Sequence, residues 1–289
     1  MLVLFTDSDT DFDLQKCKEY GYKLISMPYI VDGKEIYPYV DFEEFDYKSF
    51  YGMLRKGVLP KTTALSPVDY VKYFEPEFAK GNDIFYVHFS AAMTGTFNSM
   101  HIALEELKEK YPERKFYEID TKGITLGSLN IVYEVGDMFK AGKTPEEVLE
   151  WAKTEVDKFA VYFYADNLKF FGRSGRVSGF KAFMGNLFGI HPIITMNSEG
   201  KMVPVGSIRG KKKALKRLFD IVVDLAEDIK DHRIIIGHCD CEDLAHTLGD
   251  MVKAHYGEDT EIMYQVVNPT AGSHCGPDTL GIVFHAKHR

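Results

Sequence analysis

Short apolar runs alternate with capped helical segments along the first half of the chain, and this alternation restricts the fold more than any other feature. Residues 2–6, 83–89 and 116–119 have the length and composition of buried strands. Ser66-Pro67-Val68-Asp69 and Thr144-Pro145-Glu146-Glu147 each place a capping residue and a proline at the start of a helix. Strand, loop and helix repeated in this order predict an α/β fold with a mostly parallel sheet and helices on its faces.

The pattern changes beyond about residue 158. Asn197-Ser198-Glu199-Gly200 separates two apolar runs as the turn of a hairpin, and Asp32-Gly33 does the same earlier in the chain. Apolar residues at helical spacing predict a helix over residues 211–229. The remaining segments indicate strands over 233–237, 261–266 and 281–284 and a helix over 243–256. Glycine, arginine and serine predict a loop over residues 172–179. We therefore predict two α/β domains, residues 1–158 with the parallel sheet and residues 159–289 with a mixed sheet.

The composition disfavours several classes of protein. Of the 289 residues, 45% are apolar and 27% are charged, which is the balance of a water-soluble globular protein. The formal charge of −8 disfavours nucleic-acid binding by the chain as a whole. No apolar run approaches the roughly 18 residues of a membrane span. The four cysteines lack disulfide-framework spacing and the N-terminus enters a strand at once, so we expect a reduced cytoplasmic protein without a signal peptide.

Two aspartates directly follow the first predicted strand. Asp7 and Asp9 resemble the acidic opening of aspartate-nucleophile phosphatases, in which one carboxylate attacks phosphorus and the next acts as acid or base near Mg²⁺. A structural role in capping backbone groups at the strand end is the favoured interpretation. An EF-hand is excluded, because Phe12 stands where that loop needs glycine and Lys18 where it needs glutamate.

Two other charged or metal-ligating segments have ordinary explanations. Cys239-Asp240-Cys241 after His238 has no second cysteine pair at a suitable spacing, so a structural role is favoured over a metal site. The basic run that starts at Arg209 and continues through Lys211, Lys212 and Lys213 would ordinarily be a solvated helix face. Lysines at a helix N-terminus oppose the helix dipole, however, and this favours contact with a phosphate or an acidic protein surface.

Two loops and one histidine have the features of an anion site. Thr62-Thr63 follows Pro60-Lys61, and residues 90–96 link a strand to a helix predicted over 96–110. Free N–H groups at such a helix start, with the hydroxyls of Thr94 and Thr96, suit a bound anion. His274 lies among glycines and a proline, which predicts a loop in which a functional and a structural role are equally favoured.

In order and spacing, these segments resemble the DegV family, which includes the fatty-acid-binding B subunits of bacterial fatty acid kinase. The resemblance runs from about residue 3 to about residue 285. It rests on Thr6-Asp7-Ser8, residues 60–67, residues 90–96, Asp120-Thr121, Leu168 with residues 172–177, Pro204 with Arg209 and Ala214, and His274 with Gly276-Pro277 and Gly281.

The resemblance implies a two-domain α/β shell that holds one long-chain fatty acid and has no catalytic residues, metal or cofactor of its own. It implies that Thr62, Thr63, Thr94, Gly95 and His274 meet the carboxylate and that Arg176 supports them. It also implies that Arg209 lies near the docking site of a partner kinase, which would phosphorylate the presented carboxylate. Transient contact with a membrane surface is a further expectation.

An apolar stretch offers a wall for the acyl tail: Phe170, Phe171, Phe180, Phe183, Met184, Leu187 and Phe188. Ordinary core packing remains the favoured interpretation for most of these residues. Burial of about 14 methylenes at about 0.8 kcal/mol each contributes roughly 11 kcal/mol before the costs of binding. The sequence therefore predicts a fatty-acid carrier, and a metal-dependent phosphatase or hydrolase using Asp7 and Asp9 is the alternative.

Overall fold

Two large β-sheets organise the chain, which is described here from a computed structural model. The structure describes residues 1–166, 168–177 and 189–289. The elements of the first half are β1 (Leu2–Asp7), α1 (Leu14–Tyr20), β2 (Tyr22–Ile25), β3 (Tyr29–Val31), β4 (Lys34–Ile36), α2 (Tyr47–Arg55), β5 (Lys61–Thr62), α3 (Pro67–Ala79), β6 (Asp83–His88), α4 (Thr96–Lys110), β7 (Phe116–Asp120), α5 (Leu126–Lys140) and α6 (Pro145–Glu155). Those of the second half are β8 (Phe159–Tyr164), α7 (Leu168–Ser174), β9 (Ile190–Met196), β10 (Met202–Arg209), α8 (Lys211–Leu225), β11 (Ile234–His238), α9 (Glu242–Tyr256), β12 (Ile262–Val266), α10 (Pro269–Cys275) and β13 (Leu280–His285).

The first sheet has the order β2-β1-β6-β7, and all of its neighbouring strands are parallel. The second has the order β10-β9-β8-β13-β11-β12, in which only the β11–β12 pair is parallel. The predicted α/β fold, with one parallel and one mixed sheet, is therefore confirmed. The division of the chain at residue 158 stays a prediction.

A small antiparallel sheet, β4-β3-β5, adjoins the first large sheet. Its hairpin turns at Asp32 and Gly33, whose φ angles are +50° and +80°. Two positive φ angles in a two-residue turn are typical of the hairpins whose twist matches that of the strands. The sequence predicted this turn, and the sheet it forms positions Thr62 through the pairing of Thr62 with Tyr29.

Helix α5 lies between the two large sheets, in contact with β6 on one side and with β8, β11 and β13 on the other. Most of its residues are buried, which is why it lacks the polar face by which a surface helix is recognised. Helix α5 and strand β8 lie close together at Gly127, where an added Cβ atom would be 3.2 Å from Cγ1 of Val161. One apolar core consequently runs continuously from the first sheet to the second.

Two predicted boundaries need correction. Helix α8 ends at Leu225, and Ala226 leaves the helix with ψ of 139°, so Ile229 lies beyond the helix predicted over 211–229. The loop predicted over residues 172–179 begins inside α7, which ends at Ser174. Among the described helices, none has the length and apolar composition needed to cross a membrane.

Candidate functional site

A mostly apolar cavity opens at the carboxyl ends of β1 and β6, the edge at which parallel α/β sheets usually bind ligands. It measures about 640 Å³, a volume that includes the solvent space at its mouth. Its apolar wall includes Met27, Phe89, Met93, Ile124, Met202 and Cys275. These residues come from both halves of the chain, so the cavity forms only when the two sheets are in place.

A polar cluster, defined as Thr62, Thr63, Thr94, Arg176 and His274, lies in the wall of the same cavity. Oγ1 of Thr62 lies 2.9 Å from Nε2 of His274. Thr62, Arg176 and His274 also line a neighbouring surface pocket, which places them where the cavity meets solvent. The structure therefore brings together five of the residues that the sequence analysis proposed for an anion.

The neighbourhood of Thr62 and Thr63 is fixed by short, specific contacts. Strand β5 pairs with β3, and the chain then turns toward α3. The hydroxyl oxygen of Thr96 accepts a hydrogen bond from the N–H of Leu65 at 3.1 Å and lies 3.1 Å from the hydroxyl of Tyr70. The hydroxyl of Thr96 was predicted to face an anion. In the structure this hydroxyl ties the β5–α3 segment to the start of α4, and Thr96 also lines the cavity.

Thr94 and Gly95 stand at the N-terminus of α4, where the first-turn N–H groups have no acceptor within the helix. Oγ1 of Thr94 accepts from the N–H of Thr96 at 3.2 Å. The loop that precedes α4 is anchored at Ser90, whose hydroxyl donates to the carbonyl of Gly200 at 2.7 Å. Since Gly200 belongs to the β9–β10 hairpin, the second sheet holds this loop in position.

His274 lies in the last turn of α10, not in a loop as the sequence predicted. The side chain of Asn268 caps this helix and Pro269 occupies its first turn, a start signal that the nearby glycines obscured. Asn268 also donates from its backbone N–H and its Nδ2 to Oδ1 of Asp11, at 2.9 and 2.7 Å. These bonds fix the histidine relative to the N-terminal segment.

The electrostatics of the polar cluster suit an anion. Burial, reinforced by the charge of Arg176, lowers the pKa of His274 to about 4. At neutral pH the imidazole is therefore uncharged, with one nitrogen as donor and the other as acceptor. Arg176 supplies the positive charge, the threonine hydroxyls supply further donors, and the start of α4 adds a positive dipole end.

The alternative phosphatase interpretation is not favoured by the surroundings of Asp7. Its side chain is fully buried, and its Oδ2 accepts from the hydroxyl of Tyr86 at 3.0 Å and from the N–H of Phe89 at 3.2 Å. Burial raises the pKa of Asp7 to about 7 in spite of these bonds. A nucleophile would have to be charged and accessible, whereas this carboxyl secures the end of β1.

No metal centre is found among the described residues, in which no three His, Cys, Asp or Glu side chains form a group able to hold an ion. In the Cys239-Asp240-Cys241 segment, Cys239 is buried. The carboxylate of Asp240 binds Lys48 at 2.6 Å and also pairs with Arg55. Both partners come from α2, so this segment joins α2 to the second sheet.

Arg209 lies away from the polar cluster. It ends β10, whereas Met202 of the cavity wall begins the same strand. Seven residues of strand at about 3.3 Å each separate the two by on the order of 20 Å. Arg209, Lys212 and Lys213 are exposed, while Lys211 forms an ion pair of 3.1 Å with Asp166.

The predicted tail wall is only partly described. Phe170 is buried beneath α10, where it faces Gly276, and it lines the surface pocket beside His274. Phe171 packs in the core, with its ring 6.0 Å from that of Phe163. The other members, Phe180, Phe183, Met184, Leu187 and Phe188, lie outside the described residues. Sequence reasoning missed Met27, Met93 and Met202, although methionine commonly lines adaptable apolar sites.

Comparison with known proteins places this architecture among characterised folds. A model of the DegV family of uncharacterised proteins matches residues 1–287. A DegV domain-containing protein of Clostridium perfringens is 33% identical over 282 residues, covering 98% of this chain and 96% of the relative. A solved DegV family protein of Thermus thermophilus, described as fatty-acid-binding, has a TM-score of 0.85 and 26% identity and covers 99% of both chains. The fold also matches that of a DegV family protein of Eubacterium eligens loaded with heptadecanoic acid, with a TM-score of 0.84, 23% identity and coverage of 99% of this chain and 100% of the other. The chain therefore belongs to the DegV family.

Proposed function

We propose that this protein binds one long-chain fatty acid, with the acyl tail in the apolar cavity and the carboxylate at the polar cluster. The observation that carries this proposal is the Thr62–His274 pair, 2.9 Å apart at the mouth of a mostly apolar cavity. A fatty acid has the same division, since it combines a long apolar tail with one small anionic head. The fatty-acid-binding description of the Thermus thermophilus relative supports the same ligand class.

In this proposal the polar cluster and the neighbouring Gly95 supply hydrogen-bond donors and one positive charge. The hydroxyls of Thr62, Thr63 and Thr94, the N–H of Gly95 and the imidazole of His274 donate hydrogen bonds to the carboxylate. Arg176 supports them with its positive charge. A carboxylate leaving water needs such donors, because an ion buried without hydrogen bonds costs far more than the tail gains. The protein is thus a binding subunit and contributes no catalytic residue.

We further propose that the bound carboxylate is presented in the cytoplasm to a separate fatty acid kinase, which forms the acyl phosphate. The polar cluster lies beside a surface pocket, so the head group would remain within reach of a partner. Arg209, Lys212 and Lys213 offer an exposed cationic surface for that partner. A standard interface covers about 800 Å² on each side, which is wide enough to reach from the cavity mouth to Arg209.

Mass spectrometry of purified, denatured protein tests the binding proposal. We expect about one fatty acid per chain, and uptake of palmitate or oleate by protein from which lipid has been extracted. Ala271→Phe, which fills part of the cavity wall, should lower the amount bound. Val205→Phe on the exposed side of β10 is the matched control. A lipid-free extract from folded protein, with no uptake of added acid, would rule the proposal out.

A further inference from the structure

A carboxyl group lies in the wall of the mostly apolar cavity. Asp9 belongs to a 3-10 turn, residues Ser8–Thr10, that directly follows β1. Its side chain lines the cavity and is only 9% exposed. No hydrogen-bond partner is present for its Oδ1. An orphaned polar atom of this kind is rare in a native interior, because buried polar groups are nearly always paired.

Asp9 belongs to the inner wall of the cavity and not to its mouth. Its neighbours in that wall, Met27, Phe89, Thr270 and Cys275, are all buried, whereas Thr62, Thr63 and His274 are only partly so. A ligand whose head group stays at the polar cluster would therefore meet Asp9 with its acyl chain.

The backbone around Asp9 is held on three sides. Its N–H donates to Oδ1 of Asp7 at 3.0 Å, and its carbonyl accepts from the N–H of Thr125 at 3.0 Å and from Nδ2 of Asn268 at 3.4 Å. These bonds hold the backbone of the turn in place beside the cavity.

The surroundings of Asp9 favour its protonated form. Burial raises the pKa of Asp9 well above its ordinary value and the nearby carboxyls of Asp7 and Asp11 raise it further, while a hydrogen bond with the side chain of Thr270 acts in the opposite direction. A protonated carboxyl has one O–H donor and an acceptor oxygen. A plain methylene chain packed against it would leave Oδ1 without a partner, and such an unmet group is costly.

We propose that Asp9 forms a second polar subsite within the cavity, which binds a hydroxyl or keto oxygen carried on the acyl chain of the ligand. The preferred ligand class is accordingly an oxygenated long-chain fatty acid. This inference rests on the proposed fatty-acid function and makes it more specific. An ordered water beside Asp9 is the competing occupant, and it would give no preference for oxygenated acids.

Calorimetric titration of lipid-free protein tests the subsite. The probes are palmitate and a series of monohydroxypalmitates with the hydroxyl at different positions, and the variants are Asp9→Leu and Asp9→Asn. For wild type, at least one hydroxylated acid should bind on the order of tenfold more tightly than palmitate. Asp9→Asn, which keeps a donor and an acceptor, should retain this ratio. In Asp9→Leu the ratio should invert, because affinity for palmitate rises while the hydroxyl loses its partner.

The outcomes separate this inference from the function on which it rests. Two results would contradict the proposed subsite. In the first, palmitate binds wild type but every hydroxylated acid binds less tightly. In the second, the ratio of hydroxylated-acid affinity to palmitate affinity is unchanged in Asp9→Leu, and water or nothing then occupies the space beside Asp9. If palmitate and the whole series fail to bind folded protein, the fatty-acid function itself is wrong. Circular dichroism checks folding, and Asp9→Ala replaces the leucine variant should that variant not fold.

Discussion

Oγ1 of Thr62 and Nε2 of His274 lie 2.9 Å apart, although 212 residues separate them in the chain. The hydrogen bond joins β5 of the small sheet to the last turn of α10. In the proposed complex, both groups turn to one carboxylate. Their contributions to affinity should therefore depend on each other.

Removal of either group should weaken fatty-acid binding. Thr62→Val and His274→Ala each leave a buried carboxylate short of one donor, at a cost of about 1–3 kcal/mol, or about five- to a hundredfold in affinity. The double variant should lose less than the sum, because the two donors act on one group. Calorimetric titration with oleate measures all four affinities.

Thr94→Ala should lower the affinity over the same range, and Thr94→Ser should retain most of it because the hydroxyl is kept. Thr154→Val, on the exposed side of α6, controls for loss of a threonine hydroxyl elsewhere. Binding curves of Thr62→Val, Thr94→Ala and His274→Ala that all coincide with wild type would show that the carboxylate is held by other groups.

The buried carboxyl of Asp11 should make stability fall with rising pH. Burial raises the pKa of Asp11 from 3.8 to about 7. Between these values the folded state holds the proton more firmly than the unfolded state, so the free energy of unfolding decreases as pH rises. Asp11→Asn removes this titration, and its φ of +61° suits asparagine.

The stability of Asp11→Asn relative to wild type should accordingly increase from about pH 4 to about pH 7, by at most about 4 kcal/mol. Urea unfolding across this interval measures the difference, with Asp32→Asn in the exposed hairpin turn as control. Parallel pH profiles for Asp11→Asn and wild type would contradict a raised pKa at this position.

Gly200→Ala should destabilise the contact between the β9–β10 hairpin and the Ser90 loop. The φ of Gly200 is +75°, and an added Cβ would lie 2.3 Å from Oγ of Ser90 and 3.2 Å from Cα of Lys122. An alanine with this positive φ costs about 1–2 kcal/mol of backbone strain. Overpacking of the added Cβ against its neighbours costs about 1–3 kcal/mol more. Gly142→Ala is the matched control, since its φ is +82° and no atom lies within 4 Å of the added Cβ.

The comparison can be extended with Ser90→Ala, which removes the atom that the new Cβ would meet first. Gly200→Ala should cost less in this background than in wild type, and thermal unfolding measures both differences. Equal costs for Gly200→Ala and Gly142→Ala in wild type would show that the Ser90 loop moves aside at no cost in stability.

The exposed cations at the end of β10 and the start of α8 should affect a partner kinase and leave lipid binding unchanged. Arg209→Ala, alone or with Lys212→Ala and Lys213→Ala, should slow phosphorylation of the bound acid by a cognate kinase when the carrier is limiting. The effect should shrink as salt rises, since exposed charges are screened. Lys108→Ala on α4 controls for the loss of one positive charge elsewhere. Unaltered rates for both Arg209→Ala and the triple variant would count against docking there.

The sequence predicted elements whose signals are local. The turn at Asp32-Gly33, the helix caps at Ser66 and Thr144, and the start of α4 at Thr96 all rest on a few adjacent residues, and the structure confirms them. Helix α5 could not be predicted in this way, because burial between two sheets removes its polar face. Helix α10 was missed because its glycines and the following Gly276-Pro277 favour a loop.

For the candidate site, local signals indicated which side chains suit an anion but not how they meet. Thr96 is an example. Its position at a helix start fits an anion donor, but no local pattern shows that its hydroxyl also contacts Leu65 and Tyr70. The convergence of Thr62 and His274 depends on how β5 and α10 pack in the completed fold, which no local pattern encodes.

The position of α10 far downstream of β5 also sets an order of events during synthesis. Thr62 and Thr94 are made well before His274. A growing chain that ends before Pro269 has the threonines but neither the imidazole nor the contacts of Asn268 with Asp11. Since translation proceeds toward the carboxyl terminus, the polar cluster is completed only after α10 has been made and has packed against the N-terminal segment.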